Sequence, residues 1–341
     1  MSGNLTTAGP SAIEIAFGAS SLLSFLVGTT GNIIAVFYFL KRSTTSTANT
    51  IIYACINITD TTICSLVLFT GLANLSPALG EQLFSNSVFC NVWGVLWNMI
   101  VRLSVYLIGV LSVSRVVSLY RPYQKMRRRT VLLPIIVYFL LMVFQAAMPF
   151  YHGRGYRYFP EHQVCSWSLG EIFDSRSVAF NFWFFVLTVL EFVVPVVPVT
   201  ACCCLLMYKL RAKHSISERM NVIKREATIT IVLLTVTYLV FNVPLCTVVL
   251  LNYSSKITEI HGHSTPSHTH FSFNYDKDLR SFINTQTIVL NCVANTCLYF
   301  YRIGELREWA RGLARALWEG CCGGSWWSTG KVVGNTRNST A

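Results

Sequence analysis

The stretch from Asn91 to Leu119 reads NVWGVLWNMIVRLSVYLIGVLSVSRVVSL. Its only charged side chains are Arg102 and Arg115. As a helix rising about 1.5 Å per residue, it exceeds the roughly 30 Å hydrocarbon layer of a bilayer. Six further apolar runs accompany it, so that seven lie roughly at 15–40, 48–73, 91–119, 131–150, 178–208, 226–251 and 281–301. A chain that crosses seven times leaves its termini on opposite sides, which suits passing a signal better than housing soluble chemistry. The expected fold is an all-α membrane protein, a seven-transmembrane helix bundle. The expected divisions are an extracellular N-terminus (1–14), a seven-transmembrane domain (15–301) and a cytoplasmic tail with an amphipathic helix (302–341).

Composition agrees. The chain is 53% apolar and 12% charged, with a mean hydropathy of +0.49, whereas soluble domains average about 25% charged. The net charge of +12 does not point to nucleic acid, because it is distributed by side. Lys41, Arg42, the Arg121–Arg129 loop, the Lys209–Arg225 loop and the tail place 19 basic and 5 acidic residues on one side. The other side holds 6 basic and 8 acidic residues. That asymmetry is the positive-inside pattern and puts the basic side in the cytoplasm and the N-terminus outside. No Lys or Arg precedes Lys41, so the first span is expected to act as its own uncleaved anchor. Asn4-Leu5-Thr6 then lies outside, where a glycan would be attached at Asn4.

Of the twelve cysteines, eight fall within or at the edges of spans and read as small apolar residues. Cys321 and Cys322 lie in the cytoplasmic tail. Cys90 and Cys165 alone are on the outer side, and an oxidising exterior favours a bridge between them. It would pin the loop before the fifth span over the bundle.

The third span ends Ser112-Val113-Ser114-Arg115-Val116-Val117-Ser118-Leu119-Tyr120-Arg121-Pro122, and the seventh contains Asn291-Cys292-Val293-Ala294-Asn295-Thr296-Cys297-Leu298-Tyr299. With Gly31-Asn32 and Asp60, these resemble the rhodopsin-like (class A) G-protein-coupled receptors over nearly the whole chain. Cys90 precedes Arg115 by 25 residues and Pro122 follows it by seven, as in that family. The chain is similar to a divergent, orphan-like member. Where the family has Asp-Arg-Tyr, it reads Ser114-Arg115-Val116. Where the family has Asn-Pro-x-x-Tyr, it reads Asn295-Thr296-Cys297-Leu298-Tyr299, without the proline. Asn242 stands where a tryptophan usually precedes the sixth-span proline, here Pro244. The fifth span keeps Phe192 and Pro195 but has Cys203 where a tyrosine is usual, and the fourth lacks its usual tryptophan. Lys224 occupies the position where an acid usually locks the arginine.

The resemblance implies a plasma-membrane receptor that transmits an extracellular signal to a heterotrimeric G protein, with no enzymatic activity. It assigns coupling and activation to Arg115, Ser114, Val116, Pro122, Asn295, Tyr299 and Pro244. Its polar centre would be Asp60, Asn32, Ser104, Asn291 and Asn295. A carboxylate near mid-membrane is costly and must face polar partners. In the resembled family that cluster holds an allosteric sodium ion, and oxygen ligands suit a hard cation. A hydrogen-bonded knot without an ion is the other reading of the same residues. No other metal or cofactor is expected.

Arg102 lies 12 residues inward of Cys90 and Glu191 lies 13 inward of Val178, about 18 and 20 Å at 1.5 Å per residue. Both helices run outside to inside, so the two charges share a depth. They read as a buried ion pair fixing helix packing, or as a pair that a ligand breaks or bridges. With Trp97, Asn98, Val101 and Asn242 they form the expected ligand pocket. Trp97 stands where amine receptors carry an aspartate and Val289 where opsins carry a lysine. A peptide, a lipid or a small organic ligand fits what remains.

After Tyr301, Leu306, Ala310, Leu313 and Leu317 recur at helical spacing beside Arg307, Arg311 and Arg315. This predicts a short amphipathic eighth helix on the anionic inner leaflet, with membrane lipids as partners. Cys321 and Cys322 follow as palmitoylation candidates. His261, His263, His268 and His270 precede the seventh span. They read first as a solvated loop and second as a metal or proton sensor. A seven-span transporter would show two related halves and broken helices, and neither is visible. A non-coupling or degenerate receptor stays open through Ser114, Asn242 and Thr296.

Overall fold

The computed structural model describes residues 12–43, 48–120, 128–151, 156–159, 164–167, 196–208, 228–243 and 277–322. Each of the seven apolar runs coincides with a helix there. The first run is α1 (Ala12–Ser24), a π-helical turn (Phe25–Thr29) and α2 (Thr30–Ser43) in direct succession. The second is α3 (Ala48–Leu75), the third α5 (Ser87–Tyr120) and the fourth α6 (Arg128–Tyr151). The fifth and sixth are described over α7 (Val196–Tyr208) and α8 (Thr228–Val243). The seventh is α9 (Lys277–Arg302), followed by α10 (Gly304–Cys322).

Three of these helices are long and apolar enough to cross a bilayer by length and composition: Glu14–Lys41, Asn49–Leu75 and Ser87–Ser118. The described parts of α6, α7 and α8 are apolar but shorter. The seventh has the length, 26 residues, but is interrupted by Gln286, Asn291, Asn295 and Thr296. All four are buried against the other helices, not turned to lipid.

Helix α3 is the hub of the bundle. It packs on α1, α2, α5 and α9. Its own sequence is rich in Thr and Ser, and their hydroxyls donate to carbonyls one turn back: Thr61 to Asn57 at 2.8 Å, Thr62 to Ile58 at 2.9 Å and Ser65 to Thr61 at 2.9 Å. Such back-bonding satisfies a polar group without a partner helix, so α3 carries them inside an apolar environment. Close approach of the first and second spans needs glycine at more than one point. A Cβ on Gly71 would lie 2.6 Å from the Ser21 Cβ.

Two elements go beyond the helical pattern read from the sequence. A short helix α4 (Pro77–Phe84) connects α3 and α5 at one end of the bundle. There Phe84 and Phe89 both pack on Trp93, with centroids 5.7 and 6.0 Å away. Asn86 starts α5, its Oδ1 accepting from the amides of Val88 (3.0 Å) and Phe89 (3.2 Å), an N-cap that satisfies two otherwise unpaired donors. Between α6 and the fifth span, β1 (Tyr156–Phe159) and β2 (Val164–Trp167) form an antiparallel hairpin with Tyr158 opposite Cys165. The hairpin packs on α5.

Candidate functional site

At the centre of the bundle, α3, α5 and α9 each contribute to one polar cluster. The fully buried Asp60 accepts from Ser104 Oγ at 3.1 Å through Oδ1 and from Asn295 Nδ2 at 3.0 Å through Oδ2. The Cys292 side chain is hydrogen-bonded to the same carboxylate and to Cys64. Next to it, Thr296 Oγ1 donates to Asn32 Oδ1 at 2.7 Å, joining α9 to the first span. All five residues expected in the polar centre are buried here. Cys292, Cys64 and Thr296 belong to it as well. The oxygens Asn291 Oδ1 and Asn295 Oδ1 are buried and find no hydrogen bond among the described residues. Gly31 explains how Thr296 comes so near: a Cβ there would fall 2.1 Å from Thr296 Cγ2.

Toward one end of the bundle, Arg115 sits near the end of α5 and its Nε donates to Thr228 Oγ1, 3.3 Å away, at the start of α8. One turn inward, Ser112 Oγ and Thr235 Oγ1 are 3.2 Å apart and hydrogen-bonded. Ser114, which stands where the resembled family has its acid, is buried and donates to Asn49 Oδ1 at the start of α3. Tyr299 is fully buried. It packs edge-on against Phe39 and Tyr53, with centroids at 5.9 and 5.6 Å. Sequence reasoning named Arg115, Ser114, Val116 and Tyr299. It missed Thr228, Asn49 and Thr235, ordinary neutral residues whose only signal is position.

On the other side of the polar cluster from Arg115, Val101 is buried in an apolar cluster with Ile63, Cys64, Val67, Val289 and Cys292, and Trp97 packs against it. Asn98 Nδ2 donates to Gly94 O at 2.9 Å and the buried Asn242 Nδ2 to Tyr238 O at 3.0 Å. Both amides therefore bond back into their own helices. Arg102 is buried beside Val101. Glu191, Pro244, Pro122, Asn4, Lys224 and the histidines from His261 to His270 lie outside the described residues.

Cys90 is buried and disulfide-bonded, near the start of the helix on which the Cys165-bearing hairpin packs. At the opposite end, α10 docks through Leu306, which is fully buried, and through Tyr38 Oη, which donates to Glu305 Oε2 at 3.0 Å. Leu317 and Trp318 remain exposed, and the backbone of α10 extends through Cys321 and Cys322.

The model of the seven-transmembrane receptors of the rhodopsin family matches residues 31–299. The chain belongs to this receptor family. It is therefore a multi-pass membrane protein built as a seven-helix bundle. The crystal structure of squid rhodopsin is similar to the receptor, with a TM-score of 0.65 over 92% of this chain and 88% of that one. At 18% identity the likeness carries the fold alone. No curated protein sequence matches the receptor.

Proposed function

We propose that this receptor couples an extracellular ligand (a peptide, a lipid or a small organic molecule) to a heterotrimeric G protein. It would do so across the plasma membrane, with its N-terminus outside and its tail in the cytoplasm. The observation that carries the reading is the hydrogen bond from Arg115 to Thr228. It ties the cytoplasmic ends of the third and sixth helices at the place where a G protein's terminal segment would enter. With Ser112 and Thr235 as a second tie, the sixth helix has a closed position held by neutral hydroxyls. An agonist opens it only by binding the open arrangement more tightly than the closed one.

The other assignments follow from the same reading. Asp60, Ser104, Asn291 Oδ1 and Asn295 Oδ1 offer one negative charge and several neutral oxygens, which fit a sodium ion better than a divalent one. Among the described residues no three His, Cys, Asp or Glu side chains gather to hold a metal. On this reading Cys90 pairs with Cys165, Arg102 and Glu191 are either an ion pair that fixes helix packing or a pair that a ligand breaks or bridges, Asn4 carries a glycan, and Cys321 and Cys322 carry acyl chains beside the inner leaflet.

The test is basal second-messenger output, cAMP and calcium together with a G-protein dissociation reporter. It compares wild type with Arg115→Ala at matched surface levels. Output that Arg115→Ala abolishes supports coupling and names the G protein. Silence in wild type through a full ligand screen, with both proteins at the surface, would favour a receptor that binds without coupling.

A further inference from the structure

Two buried polar groups in the outer half of the bundle stand without partners. Ser21 on α1 is fully buried and Gln286 on α9 is 9% exposed. Neither Ser21 Oγ nor Gln286 Nε2 makes a hydrogen bond among the described residues. Neither belongs to the polar centre at Asp60 or to the apolar cluster around Val101.

The register of the two helices puts them at corresponding positions on neighbouring helices. A Cβ on Gly28 would lie 3.3 Å from Val293 Cγ2, and one on Gly31 would lie 2.1 Å from Thr296 Cγ2. The first and seventh helices thus run in parallel with a constant offset. Ser21 and Gln286 each lie seven residues before the Gly28 and Val293 contact, and the face of the first helix is kept across its π-helical turn, since Ser21 meets Gly71 and Gly28 meets Cys64, again seven residues apart. The second helix closes one side, since a Cβ on Gly71 would lie 2.8 Å from Ser21 Oγ. Toward the bilayer the seam is flanked by Leu22 and Leu290, both nearly half exposed.

We infer that Ser21 and Gln286 form a binding site for a neutral hydroxyl, held in the outer seam between the first and seventh helices. A hydroxyl both donates and accepts, so a single group accepts from Gln286 Nε2 and donates to Ser21 Oγ. A charged guest does not fit, because neither residue offers a countercharge and burying an unpaired ion is far costlier than burying a hydroxyl. The hydroxyl comes either from water, which occupies buried polar sites of this kind, or from a sterol entering between Leu22 and Leu290. The site is independent of G-protein coupling.

The test uses the full chain in phosphatidylcholine nanodiscs, with and without cholesterol, and reads the thermal midpoint. The proteins are wild type, Ser21→Ala, Gln286→Leu and the double variant. If a sterol supplies the hydroxyl, cholesterol raises the wild-type midpoint by several degrees and the double variant does not respond. If water supplies it, cholesterol has no effect, and each single variant melts below both wild type and the double variant, because one group is left orphaned. A double variant at least as stable as wild type, with single variants no worse than the double, would overturn the site. Should the variants fail to reach the membrane, the wild type alone decides. Photo-cross-linking with a diazirine sterol at the peptides holding Ser21 or Gln286, or protection of Gln286 from bulk-water radical labelling alongside an ordered water in a high-resolution map, supports it. The absence of both overturns it.

Discussion

Thr296 donates its hydroxyl to Asn32 Oδ1 at 2.7 Å, and this bond stands where the family pattern has a proline. A proline there has no N–H and bends the seventh helix. Threonine keeps the amide, so α9 runs unbroken from Lys277 to Arg302, and the hydroxyl ties the helix to the first span. Thr296→Val keeps the shape and leaves a buried amide oxygen unpaired, at a cost of about 1–3 kcal/mol. Thr296→Pro restores the family residue yet removes a helix bond and the tie together, and it is expected to cost about 3 kcal/mol or more. Thermal melts of the two variants in one detergent check the order, valine above proline and both below wild type. A proline variant as stable as wild type would mean that the bond to Asn32 contributes nothing.

The polar centre gives a second prediction. If a sodium ion joins Asp60, Ser104, Asn291 and Asn295, it binds the folded state alone and stabilises it by RT ln(1 + [Na⁺]/Kd). Replacing choline by sodium at constant ionic strength should raise the wild-type melting temperature by a few degrees. Asp60→Asn removes the charge at the centre of the cluster and should abolish that rise while keeping an acceptor for Ser104, with the new amide donating to Asn295 once that side chain turns its Oδ1 toward it. Equal melting of wild type in the two salts would leave a hydrogen-bonded knot as the whole role of the cluster.

Docking of α10 separates packing from hydrogen bonding. Leu306 is fully buried in the larger apolar core, so Leu306→Ala should cost about 2–5 kcal/mol. Tyr38→Phe removes only the bond to the exposed Glu305 carboxylate and keeps the ring against Trp309. That loss is expected near 0.5–1.5 kcal/mol. Melting curves, read beside protease cleavage after Arg307 or Arg311, should show early release of the helix in Leu306→Ala only.

Much of the fold was legible in the sequence because membrane burial imposes long apolar runs. The α5 helix could be drawn from Asn91–Leu119 alone, and Asp60, Asn32 and Asn295 could be grouped because a mid-membrane carboxylate demands partners. The seventh helix was legible by motif more than by hydropathy, since Gln286, Asn291, Asn295 and Thr296 turn inward and lower its apolar content. Elements outside the bilayer left weaker traces. Helix α4 is eight residues long, and the β1–β2 hairpin has strands of four, too short for a periodic signal. The π-helical turn at Phe25–Thr29 has no composition of its own. Thr228 and Asn49 were invisible for another reason: a neutral residue becomes a partner only through a tertiary approach, here across 113 and 65 positions.

That neutral partner sets the last prediction. Arg115 donates to a hydroxyl at Thr228, where an acid would give a charged pair. A hydrogen bond involving a charged group contributes about 1.5–3 kcal/mol, which bounds the bias of this tie toward the closed state at roughly 10- to 150-fold in population. Thr228→Val should therefore raise basal G-protein dissociation by no more than that range, while Thr228→Glu, which restores a carboxylate opposite Arg115, should suppress it. Both are read at matched surface expression with the dissociation reporter. If the proposed coupling holds, the joint variant Arg115→Ala with Thr228→Val should be silent, because the arginine would then have two duties, closing that face at rest and receiving the G protein when it opens. If Thr228→Val and Thr228→Glu move basal output in the same direction, Thr228 acts through helix packing and the tie does not set the resting equilibrium.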